Sequence, residues 1–271
     1  MRPGGKIVVV TGGAGGIGAA LAGRFAAEGA EAVLVADLDG AAATEVADRI
    51  GSAATAAAVD VTDEAQVADL VATAERRWGR IDLFCANAGV TSGVGLDAPA
   101  QTWQRTWAVN VLAHVYSARA VLPGMLERGE GYLLHTCSAA GLLTAVGDAP
   151  YSVTKHAAVG FAEWLAVTYG DRGIRVSALC PQGVDTPMLT DGLAAGHVGA
   201  RVTAASGAVL APADVAAAVL DGLAAERFLI LPHPEVAEYA RRKAADPDGW
   251  LAAMRGLSRR FDGESGAAQT G

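Results

Sequence analysis

The chain has 271 residues, 52% of them hydrophobic and 18% charged, with a formal net charge of −8. Such a composition belongs to a globular chain long enough for one large domain. It speaks against a nucleic-acid partner, which calls for a clustered basic surface, and no apolar run reaches the roughly 20 residues that span a bilayer. The N-terminus, Met1-Arg-Pro-Gly-Gly-Lys6, leads straight into an apolar stretch broken by glycines, without the core and cleavage site of a signal peptide. Cys85, Cys137 and Cys180 stand far apart in sequence near the ends of apolar runs. An odd count without paired spacing predicts reduced, buried thiols in a cytoplasmic protein. No metal site is expected, because His and carboxylate partners at ligand spacing are absent.

Ile7–Val10 is a continuous β-branched run, the pattern of a buried parallel strand. It ends in Thr11-Gly-Gly-Ala-Gly-Gly-Ile-Gly18, and Ala19–Ala27 reads as a helix. A strand, a glycine loop and a helix in that order predict a phosphate site: glycines allow close backbone approach, and the helix start offers free N–H groups. Two spacings fit, G-x-G-x-x-G at 13, 15 and 18 and G-x-x-x-G-x-G at 12, 16 and 18. The candidate contacts are Gly12, Ala14, Gly15, Gly16, Ile17 and Gly18.

Ala32–Ala36 is the second strand, closed by Asp37 nineteen residues past Gly18. A carboxylate at about that distance is expected to bind the ribose 2′-hydroxyl of NAD and to repel a 2′-phosphate. Leu38 follows it, and no Arg or Lys stands in the glycine loop. A helix N-cap is the competing role for Asp37 or Asp39, and Asp39 can fill that one. Ala41–Ile50 and Asp63–Trp78 read as helices, the latter with Thr62 as its expected N-cap. Between them Thr55–Val59 is a weak strand ending at Asp60 and Val61.

Ile81–Ala86 is a fourth strand, followed by the turn Asn87-Ala88-Gly89. One helix is expected over Gln101–Met125, where Asn110 among apolar neighbours calls for a polar partner. Tyr132–Cys137 is strand five and ends at Ser138; Pro150 then opens a helix that carries Tyr151 and Lys155. Four residues apart, that phenol and ammonium share one helix face, and an ammonium held nearby should lower the phenol's pKa toward working pH. Alone the spacing is common, and a solvated helix face would explain it.

Ile174–Leu179 is strand six, followed by Cys180-Pro181-Gln182-Gly183-Val184-Asp-Thr186-Pro-Met188. The Gly- and Ala-rich stretch from about 188 to 211 has no firm period and is expected to be a mobile flap. Pro212–Ala225 reads as a helix and Phe228–Leu231 as a seventh strand. From Pro232 to about 261 a helical extension is expected, Glu235–Ala245 and then Trp250–Arg260, with a disordered tail over 262–271. The alternation predicts a single α/β domain over 1–271: a doubly wound Rossmann sheet of about seven parallel strands with helices on both faces.

From Gly5 to about Pro234 the chain resembles the short-chain dehydrogenase/reductase family. The resemblance rests on Thr11-Gly-x-x-x-Gly-Ile-Gly18, Asp60, Asn87-Ala-Gly89, Asn110, Ser138, Tyr151-x-x-x-Lys155 and Pro181-x-x-Val-x-Thr186, in that order and spacing. It implies Tyr151 as acid/base, Lys155 as its partner and a holder of the nicotinamide ribose, Ser138 orienting the substrate oxygen, and Asn110 holding a relay water. It also implies cofactor contacts from Asp60, Val61, Asn87, Ala88 and Gly89, and from Pro181, Gly183, Val184, Thr186 and Met188. The activity implied is NAD(H)-dependent interconversion of a secondary alcohol and its ketone, in a homodimer or homotetramer paired through the helices of Trp107 and Trp164.

The family usually has Pro-Gly where this chain has Pro181-Gln182, so Gln182 is expected at the substrate pocket with Ala139, Leu142, Val146 and Met188. That apolar set points to a hydrophobic small-molecule substrate. His114 and His135 read as core residues; His197 is the histidine to watch. The competing functions are a non-catalytic dinucleotide sensor or scaffold, against which the presence of Asn110, Ser138, Tyr151 and Lys155 together argues, and an NADP(H)-dependent carbonyl reductase, against which Asp37 argues.

Overall fold

A computed structural model describes the backbone of residues 1–267 and the side chains of residues 1–261. Seven parallel strands form one sheet in the order β3-β2-β1-β4-β5-β6-β7: β1 Ile7–Thr11, β2 Ala32–Asp37, β3 Ala54–Ala58, β4 Leu83–Ala86, β5 Gly131–Thr136, β6 Ile174–Leu179 and β7 Leu229–Ile230. The central strands are buried from end to end, which is why they read as unbroken apolar runs. Alternate residues of β1 divide between two cores. Val9 packs with helices α3 (Glu64–Trp78), α5 (Ala113–Arg128) and α6 (Ala149–Tyr169). Val8 and Val10 pack with α1 (Gly16–Ala27), α2 (Gly40–Ile50) and α9 (Pro212–Ala224). The order reverses at β1 and β4, and the carboxyl ends on either side of that switch open a crevice.

Two expectations are corrected by hydrogen bonding. Asp63, not Thr62, caps α3: its carboxylate accepts from the N–H groups of Ala65 and Gln66, while the Thr62 hydroxyl donates to Asp60 Oδ1 at 2.7 Å. A carboxylate one place nearer the helix reaches two free N–H groups, so it wins the cap. The single helix expected over Gln101–Met125 is instead α4 (Ala100–Trp107), a π-helical turn over Ala108–Leu112, and α5. The stretch expected as a flap without a period contains α7 (Pro187–Ala194) and α8 (Val198–Ala205). Its short helices carry few apolar anchors, and their glycine break at Gly196 (φ 73°) hides any long period.

The C-terminal extension folds back over the crevice. Helix α10 is Glu235–Ala245, as expected, and α11 runs Pro247–Ala267, six residues into the stretch expected to be disordered; positions 268–271 lie outside the described residues. Val236 packs with Ala139 and Leu143, joined by Tyr239 and Trp250. Lys243 Nζ donates to the carbonyls of Leu142 and Leu143, both at 2.8 Å, and α11 lies against α8. Among the described residues, no helix is long and apolar enough to cross a membrane.

Candidate active site

The crevice is a cavity of about 1130 Å³ running from the glycine loop to α11. At its loop end, glycine is required by close approach. A Cβ on Gly12, whose φ is +63°, would sit 2.8 Å from Ala88 Cα, and one on Gly18 would sit 2.0 Å from the Gly12 carbonyl. Gly12 lines the cavity, as do Gly15 and Gly16. Gly15 is the N-cap of α1 and offers no side-chain bond to the first helical N–H groups, and a Cβ placed on it would meet nothing within 4 Å. Open space in front of an uncapped helix start suits a pyrophosphate.

Asn87 ties this loop down. Its Nδ2 donates to the carbonyls of Thr11 and Gly12, each at 3.1 Å, while its Oδ1 accepts from Thr136 Oγ1 at 3.0 Å. Asp37 stands at the end of β2 and lines the cavity. Its Oδ2 accepts from Ala14 N at 3.0 Å and its Oδ1 from Asp39 N at 3.1 Å, and Asp39 is the N-cap of α2. Asp39 thus takes the cap that the sequence left open between the two aspartates.

Ser138, Tyr151 and Lys155 meet on the floor of the cavity. Ser138 follows β5; its hydroxyl accepts from Ala140 N at 3.1 Å and hydrogen-bonds the Tyr151 phenol. Lys155 is buried, with Nζ 5.7 Å from the centre of the Tyr151 ring and donating to the Thr136 carbonyl at 3.0 Å. The lysine was expected to lower the phenol's pKa. Burial instead pushes Tyr151 up to about 12, against the pull of its bond with Ser138. Burial also lowers Lys155, and its ammonium is turned toward a carbonyl, so the loss of water around the phenol outweighs the charge.

Asn110 sits in the π-helical turn, completely buried. Its Oδ1 accepts from Val90 N at 2.9 Å, and its Nδ2 donates to Val90 O at 2.9 Å and Thr154 Oγ1 at 3.1 Å. It does not line the cavity; it fastens the strand-four loop to the helix of Tyr151. A π turn is often found where a helix must aim one residue at a functional site.

Of the other expected contacts, Ile17, Ala88, Gly89, Pro181, Gln182, Gly183, Val184, Thr186 and Met188 line the cavity, as do Ala139 and Val146. Ala14 and Gly18 shape the loop behind it, Leu38 is 72% exposed outside it, and Asp60 and Val61 do not line it. Asp60 Oδ1 is occupied by Thr62. Leu142 is a correction: it does not line the cavity but packs against the cluster of Ala139, Leu143 and Val236, and its neighbour Leu143 stands in the wall.

Sequence reasoning missed Asp148 and the far wall. Asp148 caps α6 by accepting from Tyr151 N, and its carboxylate also receives Thr91 Oγ1, Ser92 N and Gly93 N. An acidic residue three before Tyr151 and two before a helix-opening proline was a readable cap signal. Trp250, Met254 and Leu257 of α11 close the cavity; an exposed-looking amphipathic helix gave no hint of what it would cover. His197, between α7 and α8, also lines it.

Across residues 6–195 the chain matches the short chain dehydrogenase family model. The chain belongs to this family. It is 40% identical over 237 residues to 1-deoxy-11-beta-hydroxypentalenate dehydrogenase of Streptomyces exfoliatus, covering 85% of this chain and 84% of that one. It is 34% identical to 2-(R)-hydroxypropyl-CoM dehydrogenase of Xanthobacter autotrophicus, over 68% and 76% of the two chains. Among solved structures, a short chain dehydrogenase/reductase from Burkholderia phymatum in complex with NAD superposes with a TM-score of 0.84 at 28% identity, covering 92% of this chain and 96% of that one. The first two of these relatives are named as dehydrogenases of hydroxy compounds.

Proposed function

We propose that this short-chain dehydrogenase interconverts a hydrophobic secondary alcohol and its ketone with NAD(H). The observation that carries the reading is the meeting of Ser138, Tyr151 and Lys155 on the floor of a cavity whose other end is an uncapped helix start beside Asp37. The residues present fit a dinucleotide. Gly15 leaves room for the pyrophosphate at α1, and Asp37 offers a carboxylate to the adenosine ribose. Gly89 lies close enough to Lys155 that a Cβ there would be 3.3 Å from Nζ, so the ammonium borders the same groove. When bound, the nicotinamide supplies the hydride acceptor or donor.

This chain's residues handle the rest. Ser138 and Tyr151 bracket the substrate oxygen, Ser138 holding it and Tyr151 moving its proton. With its pKa raised by burial, Tyr151 is protonated at neutral pH and ready to give its proton to a carbonyl oxygen. Alcohol oxidation requires the phenolate, which the Lys155 ammonium and the bond from Ser138 favour against the effect of burial. Leu143, Val146, Met188, Trp250 and Met254 make the substrate end apolar. The names of the Streptomyces and Xanthobacter relatives, both dehydrogenases of hydroxy compounds, support this direction. Three free, buried thiols suit a reducing cytoplasm.

The test is a panel of apolar secondary alcohols offered with NAD⁺ and with NADP⁺, following absorbance of the reduced cofactor. Hydrogen bonds to a charged group contribute roughly 1.5–3 kcal/mol, and NADP(H) would lose them and set its phosphate beside a carboxylate. NAD⁺ is expected to be preferred by about 10² in kcat/KM, and Asp37→Ala to narrow that gap. Equal efficiency with both would reduce Asp37 to a turn residue. NADH binding without turnover of any alcohol would favour the sensor instead.

A further inference from the structure

His233 is 1% exposed and lies between β7 and α10, outside the cavity wall. Its ring makes three contacts. Nδ1 receives the backbone N–H of Gln182 at 3.1 Å, and Nε2 faces the carbonyls of Gly183 at 3.0 Å and Ala208 at 3.1 Å. A peptide N–H can only donate, so Nδ1 must be bare and Nε2 must carry the proton it shares between two carbonyls. One tautomer satisfies every partner.

These partners form the hinge of the cavity's substrate side. Gln182 and Gly183 are the turn that departs from the family's Pro-Gly, and both line the cavity. Just before them, Pro181 O accepts from Ala139 N at 2.8 Å, next to Ser138. Just after, Val184 bridges to Leu210, with Leu210 N donating to Gly183 O at 3.0 Å and Asp185 N to Leu210 O at 2.9 Å. Ala208 belongs to the return from α8. A single ring thus joins the β6 turn, the α7–α8 segment and the C-terminal extension, whose α10 begins two residues later.

We propose that His233 is a positioning residue for hydride transfer: from behind the wall it holds the Gln182–Gly183 turn in register with Ser138 and with the chain returning from α8 at Ala208–Leu210. The proposal rests on the dehydrogenase reading above. It acts through the turn and touches neither cofactor nor substrate. Orientation of reacting groups is steeply rewarded, and a displacement of about 1 Å from a remote change can cost roughly 10²-fold.

Three variants separate the contacts. His233→Asn retains an acceptor where Nδ1 stands, His233→Gln retains a donor near Nε2, and His233→Leu retains neither. For His233→Leu, kcat per active site should fall about tenfold or more, KM for the alcohol should rise, and deuteride delivered from C4-labelled NADH should lose its preference for one face of the ring. His233→Asn should stay within about threefold of wild type, because the Gln182 N–H keeps its acceptor, with His233→Gln between the two. Without any cofactor, hydrogen exchange over residues 181–186 should quicken in His233→Leu and stay slow in His233→Asn.

A merely structural role lowers Tm and the active fraction while leaving KM, facial preference and local exchange as in wild type. That result, or equal losses in all three variants in proportion to Tm, would overturn the proposal. Wild-type protein inert toward every alcohol would instead sink the dehydrogenase reading, and the exchange measurement would still judge His233.

Discussion

At Tyr151 two influences oppose each other: burial holds the proton on the phenol, and the bond from Ser138 helps release it. The balance gives the mutation its expected signature. Tyr151→Phe keeps the aromatic ring but removes the phenol proposed to pass a proton to the substrate oxygen. Turnover should fall by roughly 10²–10⁴-fold, while NADH affinity, measured by fluorescence titration, should change by less than about threefold. Full turnover in the Phe variant would move the acid/base role elsewhere. At this scale the sequence was most readable where spacing encodes geometry. Tyr151 and Lys155 share a helix face by arithmetic, and Asp37 stands where a ribose-binding carboxylate should. What it could not convey was solvation, and so the direction of the Tyr151 shift was misread. His233 was equally hidden, because its three partners are backbone groups of residues 25 to 51 positions away in the chain.

Elements show the same division between local pattern and long-range packing. Strands β1 and β2 were legible within a residue because their apolar runs are unbroken, and β6 was legible despite Arg175 and Ser177. The π turn around Asn110 was not, since the extra residue has no compositional mark; only the Asn among apolar neighbours pointed to it. Between α5 and β5 lies a buried pair that the sequence placed in the core without foreseeing its partner. His114 and His135 face each other Nδ1 to Nδ1 at 2.8 Å, and both Nε2 atoms are buried without a hydrogen bond. Burial pushes His135 down from 6.5 to about 4 and His114 well below its ordinary value. The folded state therefore binds fewer protons than the unfolded chain between pH 6.5 and 4. Stability is present in full above about 6.5 and is lost as pH falls through that window, by on the order of 3 kcal/mol for His135. Urea unfolding from pH 7.5 to 4.5 should show this acid limb, and the double variant His114→Leu, His135→Val should flatten it. An unchanged slope in the double variant would assign the limb to carboxylates.

Across the whole molecule, the doubly wound sheet was legible because strands and helices alternate in sequence, whereas the roof made by α10 and α11 depends on contacts no local pattern announces. The outer face of α6 poses the last question at this scale. Val153, Trp164 and Val167 are 48%, 54% and 86% exposed. Separations of 11 and 14 residues place them on one stripe of a helix with 3.6 residues per turn. Gly160 lies on the same stripe with no atom near the position of a Cβ, and Trp107 of the adjoining α4 is 41% exposed. Trp164 is held ready by stacking on Phe161 at 6.4 Å and edge contact with Tyr169 at 5.9 Å. A contiguous apolar stripe of this kind marks an interaction surface, and a groove at its glycine lets a second helix approach closely. We expect two copies of this chain to pair through α6, burying about 800 Å² on each, the standard size of a stable interface. Sedimentation equilibrium should find a dimer or larger assembly at micromolar concentration. Trp164→Glu would place a charge at the centre of that surface, where truncating or charging an aromatic anchor typically costs more than about 2 kcal/mol. The variant should therefore dissociate at least thirtyfold more readily while keeping its circular dichroism. A monomeric wild-type protein, or a Trp164→Glu variant that sediments with it, would leave the stripe without a second copy to cover it.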